Sequence, residues 1–235
     1  MTPAVFLPGF DGDATLRAEF VEALARRRPA TGVSYPPVVL GTLARYRDHA
    51  MAQCPVDWRP VLVAESFSGL VAIRWAAQDP RVRAVVLCGA FASNPVGIAA
   101  RLGAARPSLA KLAPRLSHPA ALASGDPRRA RWSEDFTRTL AELPARVVRE
   151  RLTLIAREDL AVELPQLACP ILLVQFEDDH VVGRRARASL EAASPRARVL
   201  RLPGPHFALE TRPDECACAI DAALREMLSE PAAST

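Results

Sequence analysis

A serine, a group of carboxylates and a histidine each follow an apolar, strand-like run of this chain. Ser66 ends the first run, the acids Glu177, Asp178 and Asp179 follow the second, and His206 follows the third. A serine hydroxyl is a weak nucleophile at neutral pH, so a base must take its proton and an acid must hold that base in one tautomer. Loops at the carboxyl ends of parallel strands share one edge of a sheet. The residue types and their order therefore predict nucleophilic catalysis by Ser66.

The residues around Ser66 are typical of a sharp strand-to-helix turn that exposes one nucleophile. The apolar run Val61–Glu65 leads directly into Ser66, and a segment with helical periodicity follows. Such a turn strains the serine backbone and leaves room only for small residues two positions away, here Ala64 and Ser68. Gly69 lets the helix pack close to the strand. The usual pattern is Gly-x-Ser-x-Gly, whereas this chain has Ala-x-Ser-x-Ser-Gly. A serine that caps a helix after a buried strand is the alternative interpretation.

A short apolar strand near the start of the sequence leads into a glycine-containing segment, Pro8–Asp13, which we call the opening loop. The loop has neither the Gly-x-Gly-x-x-Gly spacing nor the lysine of a nucleotide-binding loop. This disfavours a dinucleotide-dependent dehydrogenase, and we expect no cofactor.

With these motifs, the sequence resembles the α/β-hydrolase superfamily, especially small bacterial carboxylesterases and thioesterases. The resemblance covers the two core portions, about residues 3 to 91 and 168 to 229. The motifs that carry it are Leu-Pro-Gly-x-Asp-Gly in the opening loop, Glu-Ser-Phe-(Ser/Gly)-Gly at the turn, and Gly204-x-His206-x-x-x-Glu210-x-x-Pro213. It implies an α/β fold with a mostly parallel six-stranded sheet, helices on both sides and an inserted helical lid.

The resemblance also implies roles for individual residues. Ser66 corresponds to the nucleophile and His206 to the base. Asp179 corresponds to the acid, because the family spacing to the valines that follow favours it over its two acidic neighbours. The backbone N–H groups of Phe10 and Phe67 correspond to an oxyanion hole, which stabilises the negative charge of a tetrahedral intermediate.

Three residues at or next to these positions are candidates for substrate contact, namely Phe10, Phe67 and Glu65. The alternative is that the two rings belong to the core and that Glu65 only supports the turn. His180 lies beside three acids, but consecutive residues rarely converge on one ion, and no zinc-type spacing accompanies them. We therefore expect no metal site.

Strand-like segments alternate with helical patterns, which predicts a mostly parallel sheet covered on both faces. The six segments lie near residues 4–8, 33–39, 61–65, 83–88, 171–176 and 197–202. Residues 93–165 break the alternation, because they are rich in proline and have no strand signal. They still contain enough apolar residues for several short helices. We predict a hydrolase core formed by residues 1–92 and 166–235, and a helical lid formed by residues 93–165.

Composition narrows the classes of partner. The isoelectric point near 9.1 does not predict nucleic-acid binding, because the 30 basic residues are scattered among 26 acidic ones. The apolar runs have only strand length, so we expect no membrane span. The five cysteines show neither a disulfide framework nor metal-binding spacing, which indicates a reducing cytoplasm.

These observations predict a cytoplasmic serine hydrolase that cleaves carboxylic esters through an acyl-serine intermediate. An acyl thioesterase acting on carrier-protein or coenzyme A thioesters would use the same triad, as would a C–C bond hydrolase or a cofactor-free perhydrolase. A non-catalytic binding protein of the same fold is the alternative from a different class. We expect a small-molecule ester or thioester as substrate, with no nucleic-acid or membrane partner; the oligomeric state is left open.

Overall fold

Six parallel strands form the sheet that positions the rest of the chain. The computed structural model describes residues 1–95, 97 and 127–229. The strands are β1 (Ala4–Leu7), β2 (Ala30–Gly32), β3 (Val61–Glu65), β4 (Ala84–Cys88), β5 (Ile171–Phe176) and β6 (Arg198–Leu202). Their order across the sheet is β2-β1-β3-β4-β5-β6, and all neighbouring pairs are parallel. The predicted α/β fold with a mostly parallel six-stranded sheet is confirmed.

Helices cover both faces of this sheet. They are α1 (Ala18–Ala25), α2 (Leu43–Met51), α3 (Ser68–Ala76), α4 (Pro127–Glu142), α5 (Ala145–Arg157), α6 (Arg184–Ala192), α7 (Ala208–Thr211) and α8 (Pro213–Ser229). One hydrophobic cluster joins the sheet to α2 and α3, and a second joins it to α1 and α8. Because both faces are covered, β3, β4 and β5 are buried along their whole length, which explains their continuous apolar sequences. No helix of the described residues has the length and apolar composition needed to cross a membrane.

The second strand lies earlier than the sequence predicted. It comprises Ala30–Gly32 and pairs with β1, so the prediction of a strand at 33–39 is wrong. The N–H group of Val33 still donates to a β1 carbonyl. Pro36 and Pro37 follow, and proline has no N–H group to continue a ladder. The chain therefore leaves the sheet after a very short edge strand.

Between β4 and β5, the described residues form helices and no strand, as expected for the predicted lid. The larger helices there, α4 and α5, bury the apolar residues that predicted them, including Trp132, Phe136 and Val147. Residues 96 and 98–126 lie outside the described residues, and so does that part of the predicted lid. The boundaries of core and lid stay predictions.

Candidate active site

The carboxyl ends of β3, β5 and β6 bring together the three side chains that the sequence singled out. Ser66 directly follows β3, Asp179 follows β5, and His206 follows β6. The Nε2 atom of His206 lies 3.1 Å from the Ser66 Oγ atom, and its Nδ1 atom lies 2.8 Å from the Asp179 Oδ2 atom. An imidazole protonated at Nδ1 donates to Asp179 and can accept a proton from Ser66 at Nε2. The three groups form one continuous hydrogen-bonded relay.

Only one of the three neighbouring acids contacts the imidazole. The Asp179 side chain is buried, and its Oδ1 atom accepts the N–H groups of Val181 at 2.8 Å and Val182 at 2.7 Å. Glu177 and Asp178 are exposed. The two backbone donors fix the orientation of the carboxylate, which leaves Oδ2 to face the imidazole. The structure therefore places Asp179, and neither of its acidic neighbours, beside the imidazole.

Ser66 occupies a strained turn. Its φ of 50° is the one positive value at a non-glycine position among the described residues, and such a backbone costs about 1–2 kcal/mol. The Ser66 N–H donates to the Cys88 carbonyl, and the Ser66 carbonyl accepts from the Gly69 N–H, both at 3.0 Å. A Cβ atom on Gly69 would lie 2.7 Å from the Cβ atom of Ala90. Glycine at this position lets α3 approach the sheet, and the turn holds the hydroxyl at the sheet edge.

Side chains of the nucleophile turn hold the opening loop. The Ser68 hydroxyl donates to the Pro8 carbonyl, and the Gly9 N–H donates to the Glu65 carboxylate at 3.1 Å. The Tyr35 hydroxyl lies 2.9 Å from the Ser68 Oγ atom and must donate to it, because the single Ser68 proton is used on the carbonyl. Burial raises the pKa of Tyr35, which keeps the phenol protonated as this donor. Ser68, at the usual glycine position, thus ties α3 to the loop.

The two backbone donors assigned to an oxyanion hole are unengaged within the described part of the chain. Neither the Phe10 nor the Phe67 N–H group donates a hydrogen bond to another described residue. Phe67 stands at the N-terminal end of α3, where backbone N–H groups have no partner inside the helix. Its side chain is fully buried, and its ring centroid lies 5.3 Å from that of Tyr46. These contacts support the alternative in which the Phe67 ring belongs to the core.

A buried ionic cluster lies behind the opening loop. The Arg17 guanidinium contacts Asp11 at 2.8 Å, Glu65 at 2.7 Å and Glu210 at 2.8 Å, and no side chain of the four is more than 1% exposed. Three carboxylates thus share one cation. Burial, together with the nearby negative charge of Glu65, raises the pKa of Glu210 well above its usual range. Since the Glu65 carboxylate is engaged with Arg17 and the loop, its contacts favour the alternative in which it supports the turn.

Aromatic side chains form an apolar surface beside the candidate base. The ring of Phe207 packs against Trp132, with centroids 4.5 Å apart, and against Phe136, with centroids 5.3 Å apart. The partly buried Phe10 packs against the same cluster. An apolar surface next to a few converging polar groups is typical of small-molecule sites, so this cluster is a candidate wall for an acyl group.

Two arginines contact the opening loop, and the sequence interpretation included neither. Arg17 holds Asp11 of the loop, and Arg151 of α5 donates to a loop carbonyl at 2.6 Å. In a chain so rich in arginine, the residue type alone carries little information. Their positions do carry a signal, since Arg17 shares a helical face with Phe20, and Arg151 shares one with Val147. An arginine within the apolar face of a helix could have identified both.

No metal cluster accompanies these groups. His180, which adjoins the three acids, is exposed. Within residues 1–95, 97 and 127–229, no three His, Cys, Asp or Glu side chains are arranged to hold a metal ion.

Comparisons with known proteins agree with this architecture. The fold is similar to that of a thermophilic esterase from Thermogutta terrifontis, with a TM-score of 0.80, 19% identity, and coverage of 97% of this chain and 91% of the other. It is also similar to an enol-lactonase from Burkholderia xenovorans LB400, with a TM-score of 0.75, 19% identity, and coverage of 97% and 92%. At this identity, the likeness shows the fold alone.

Sequence similarity connects the chain to a larger protein and to a family. The polyketide synthase ThaQ of Burkholderia thailandensis is 27% identical over 239 residues, which cover 87% of this chain. The aligned segment is only 11% of ThaQ. The sequence model described as "Alpha/beta hydrolase family" matches residues 4–219. Because that match spans almost the whole chain, this protein belongs to the alpha/beta hydrolase family.

Proposed function

We propose that this protein is a serine hydrolase that cleaves carboxylic esters through an acyl-serine intermediate. The observation that carries the proposal is the relay from Ser66 Oγ through the His206 ring to the Asp179 carboxylate, with contacts of 3.1 and 2.8 Å. Family membership and the fold of the esterase neighbour support hydrolase chemistry. The unengaged N–H groups of Phe10 and Phe67 supply the donors that an oxyanion requires.

In the proposed reaction, each proton moves between two stated atoms. His206 Nε2 accepts the proton of Ser66 as Oγ attacks the ester carbonyl, and the imidazolium that forms is stabilised by Asp179. The oxyanion accepts hydrogen bonds from the Phe10 and Phe67 N–H groups. His206 then gives the proton to the leaving alcohol as the C–O bond breaks. Water then attacks the acyl carbon as His206 Nε2 takes its proton. His206 returns that proton to Ser66 Oγ as the bond between Oγ and the acyl carbon breaks, which releases the carboxylic acid and restores the free hydroxyl.

Hydrolysis of p-nitrophenyl esters from acetate to palmitate tests this proposal. Ser66→Ala should abolish turnover and His206→Ala should nearly do so, while Ser189→Ala, an exposed serine of α6, should act like wild type. A fluorophosphonate should add covalently to Ser66, which peptide mass spectrometry would detect. A folded protein that neither turns over any ester nor reacts with the fluorophosphonate would refute the proposal and favour a binding protein.

An acyl thioesterase is the second candidate, because a segment of a polyketide synthase aligns with 87% of this chain. The same relay would attack the carbonyl of a thioester. The discriminating assay compares one acyl group presented as an ethyl ester and as an N-acetylcysteamine thioester. A kcat/KM ratio that strongly favours the thioester, after each substrate is corrected for its rate of hydrolysis by hydroxide alone, would replace the ester assignment.

A further inference from the structure

The carbonyl of Phe10 is held by a side chain from α5, in the predicted lid. The Arg151 Nη1 atom donates to this carbonyl at 2.6 Å, and its Nε atom donates to the Tyr46 hydroxyl at 3.1 Å. The guanidinium also lies over the rings of Tyr46 and Tyr35, 5.6 and 5.8 Å from their centroids. Arg151 is fully buried. A helix far along the chain therefore reaches the opening loop through one polar contact.

Arg151 differs from the other buried arginine at the site. Arg17 is surrounded by carboxylates, whereas Arg151 forms no salt bridge with any described residue. Its Nη2 atom also has no hydrogen-bond partner among them. Among the described residues this buried cation has no counter-ion, and such an arrangement is unfavourable for folding.

The opening loop is shaped to admit the guanidinium. A Cβ atom on Gly12 would lie 2.6 Å from the Arg151 Nη1 atom, and the φ of Gly12 is 79°, a conformation that favours glycine. The Gly12 N–H also donates to the Gly9 carbonyl at 3.1 Å. Glycine at position 12 thus allows both the turn and the close approach of Arg151.

These contacts fix the peptide groups on both sides of the Phe10 N–H. The preceding peptide is held by Ser68 at its carbonyl and by Glu65 at its N–H. The following peptide is held at its carbonyl by Arg151. The peptide that carries the Phe10 N–H is itself held within the loop, because its Gly9 carbonyl accepts from the Gly12 N–H. Rotation of either neighbouring peptide would turn this peptide, so the direction of the Phe10 N–H depends on all of these contacts.

We propose that Arg151 is a positioning residue for the oxyanion hole. Its guanidinium holds the Phe10–Asp11 peptide so that the Phe10 N–H points at the substrate oxyanion. The inference rests on the proposed function. Because Arg151 belongs to α5, the hole is complete only when that helix is seated against the opening loop. The contribution is made to the transition state, where the charge on the oxygen develops.

The test is Arg151→Met, compared with Arg149→Met, an exposed arginine on the same helix. Active sites are first counted by fluorophosphonate labelling run to completion. Removal of one oxyanion donor costs about 10²–10³-fold, so a misdirected donor should lower kcat per active site about 10- to 100-fold. KM for the p-nitrophenyl ester should change less than about threefold. Binding of phenylboronic acid, whose tetrahedral adduct on Ser66 places an oxygen in the hole, should weaken in parallel with kcat. Arg149→Met should match wild type.

Three results would overturn the proposal. The first is a folded Arg151→Met enzyme with kcat within about twofold of wild type and unchanged phenylboronic acid affinity. The second is a loss confined to the number of active sites, with kcat per site unchanged, since that indicates a structural role only. Should Arg151→Met fail to fold, Tyr46→Phe removes the partner of Nε and should weaken kcat and phenylboronic acid binding together. The third result is a Tyr46→Phe variant whose kcat and phenylboronic acid affinity both match those of the wild type.

Labelling of the wild-type protein separates this inference from the function on which it rests. Covalent labelling of Ser66 supports the nucleophile, so a negative result for Arg151 then counts against the positioning role alone. A folded wild-type protein without labelling would remove the proposed function, and this inference with it.

Discussion

Gly89, just after β4, lies against the hydrogen bond between the candidate base and acid. A Cβ atom there would be 3.1 Å from His206 Nδ1 and 3.3 Å from Asp179 Oδ2, where ordinary contacts begin near 3.4 Å. A methyl group would therefore push the imidazole by a few tenths of an ångström. Its Nε2 atom is already 3.1 Å from Ser66 Oγ, at the long end of normal hydrogen bonds. We predict that Gly89→Ala weakens proton transfer from Ser66.

The size of the effect follows from the displacement. A misplacement of about 1 Å can cost about 10²-fold in rate, so a shift of roughly 0.3 Å predicts a loss of roughly 3- to 10-fold in kcat/KM. The φ of Gly89 is 50°, and alanine in that region costs about 1–2 kcal/mol of stability. The variant should thus be both slower and less stable.

Gly41→Ala is the matched control. Its φ is 87°, and no atom lies within 4 Å of a Cβ built there, so it shares the backbone strain without the contact. Both variants should lose stability in urea unfolding, and only Gly89→Ala should lose kcat/KM per labelled active site. Equal activity of the two variants would refute the reasoning that the methyl group acts on the relay.

Three further predictions concern other parts of the site. Asp179→Asn should lower kcat by roughly 10⁴-fold because the imidazole loses its tautomer, and Asp178→Asn should have little effect; the reverse result in ester kinetics would show that the acid is misassigned. Burial raises the pKa of Glu210, so above the ordinary carboxyl pKa the folded protein retains a proton that the unfolded chain releases. The free energy of unfolding therefore falls as pH rises from the ordinary carboxyl range through the raised pKa. In that window the stability of the wild-type protein should fall by up to about 1.4 kcal/mol per pH unit, and Glu210→Gln should remove this dependence. Urea unfolding that gives the same pH dependence for the wild type and for Glu210→Gln would contradict this. Ser68→Ala should cost about 1–3 kcal/mol, because it leaves the buried Pro8 carbonyl without its donor; an unchanged free energy of unfolding would count against that contact.

The sheet was predictable where burial is complete and less so at its edge. β3 and β5 are continuous apolar runs because both of their faces are covered. Ala30–Gly32 has no such pattern, since it is a three-residue edge strand of small, only partly buried residues. The apolar residues Val38 and Val39 pointed to a strand, but they lie exposed after two prolines.

The candidate site was predictable where its residues are adjacent in the chain, and less so where distant residues meet. The turn at Ser66 is encoded by adjacent small residues, so its sequence alone indicates the strained backbone. Asp179 is distinguished because its side chain accepts the N–H groups of Val181 and Val182. Three adjacent acids have similar side chains, so residue type alone could not decide among them. Arg151 has its partner 141 positions away in the chain, and no local pattern specifies that contact.

The opening loop is held both by a hydrogen-bond acceptor and by hydrogen-bond donors from elsewhere in the chain. Glu65, a carboxylate, accepts an N–H from the loop, and Arg151, a guanidinium, donates to a carbonyl of the loop. Each anchor satisfies one kind of peptide group, and the Phe10 N–H between them is left without a partner among the described residues. Arg17 links the same loop to Glu210, which follows the candidate base by one helical turn. On the proposed role of the Phe10 N–H as an oxyanion donor, the nucleophile turn, the histidine segment and α5 would together set its direction, so a change in any of the three would lower kcat.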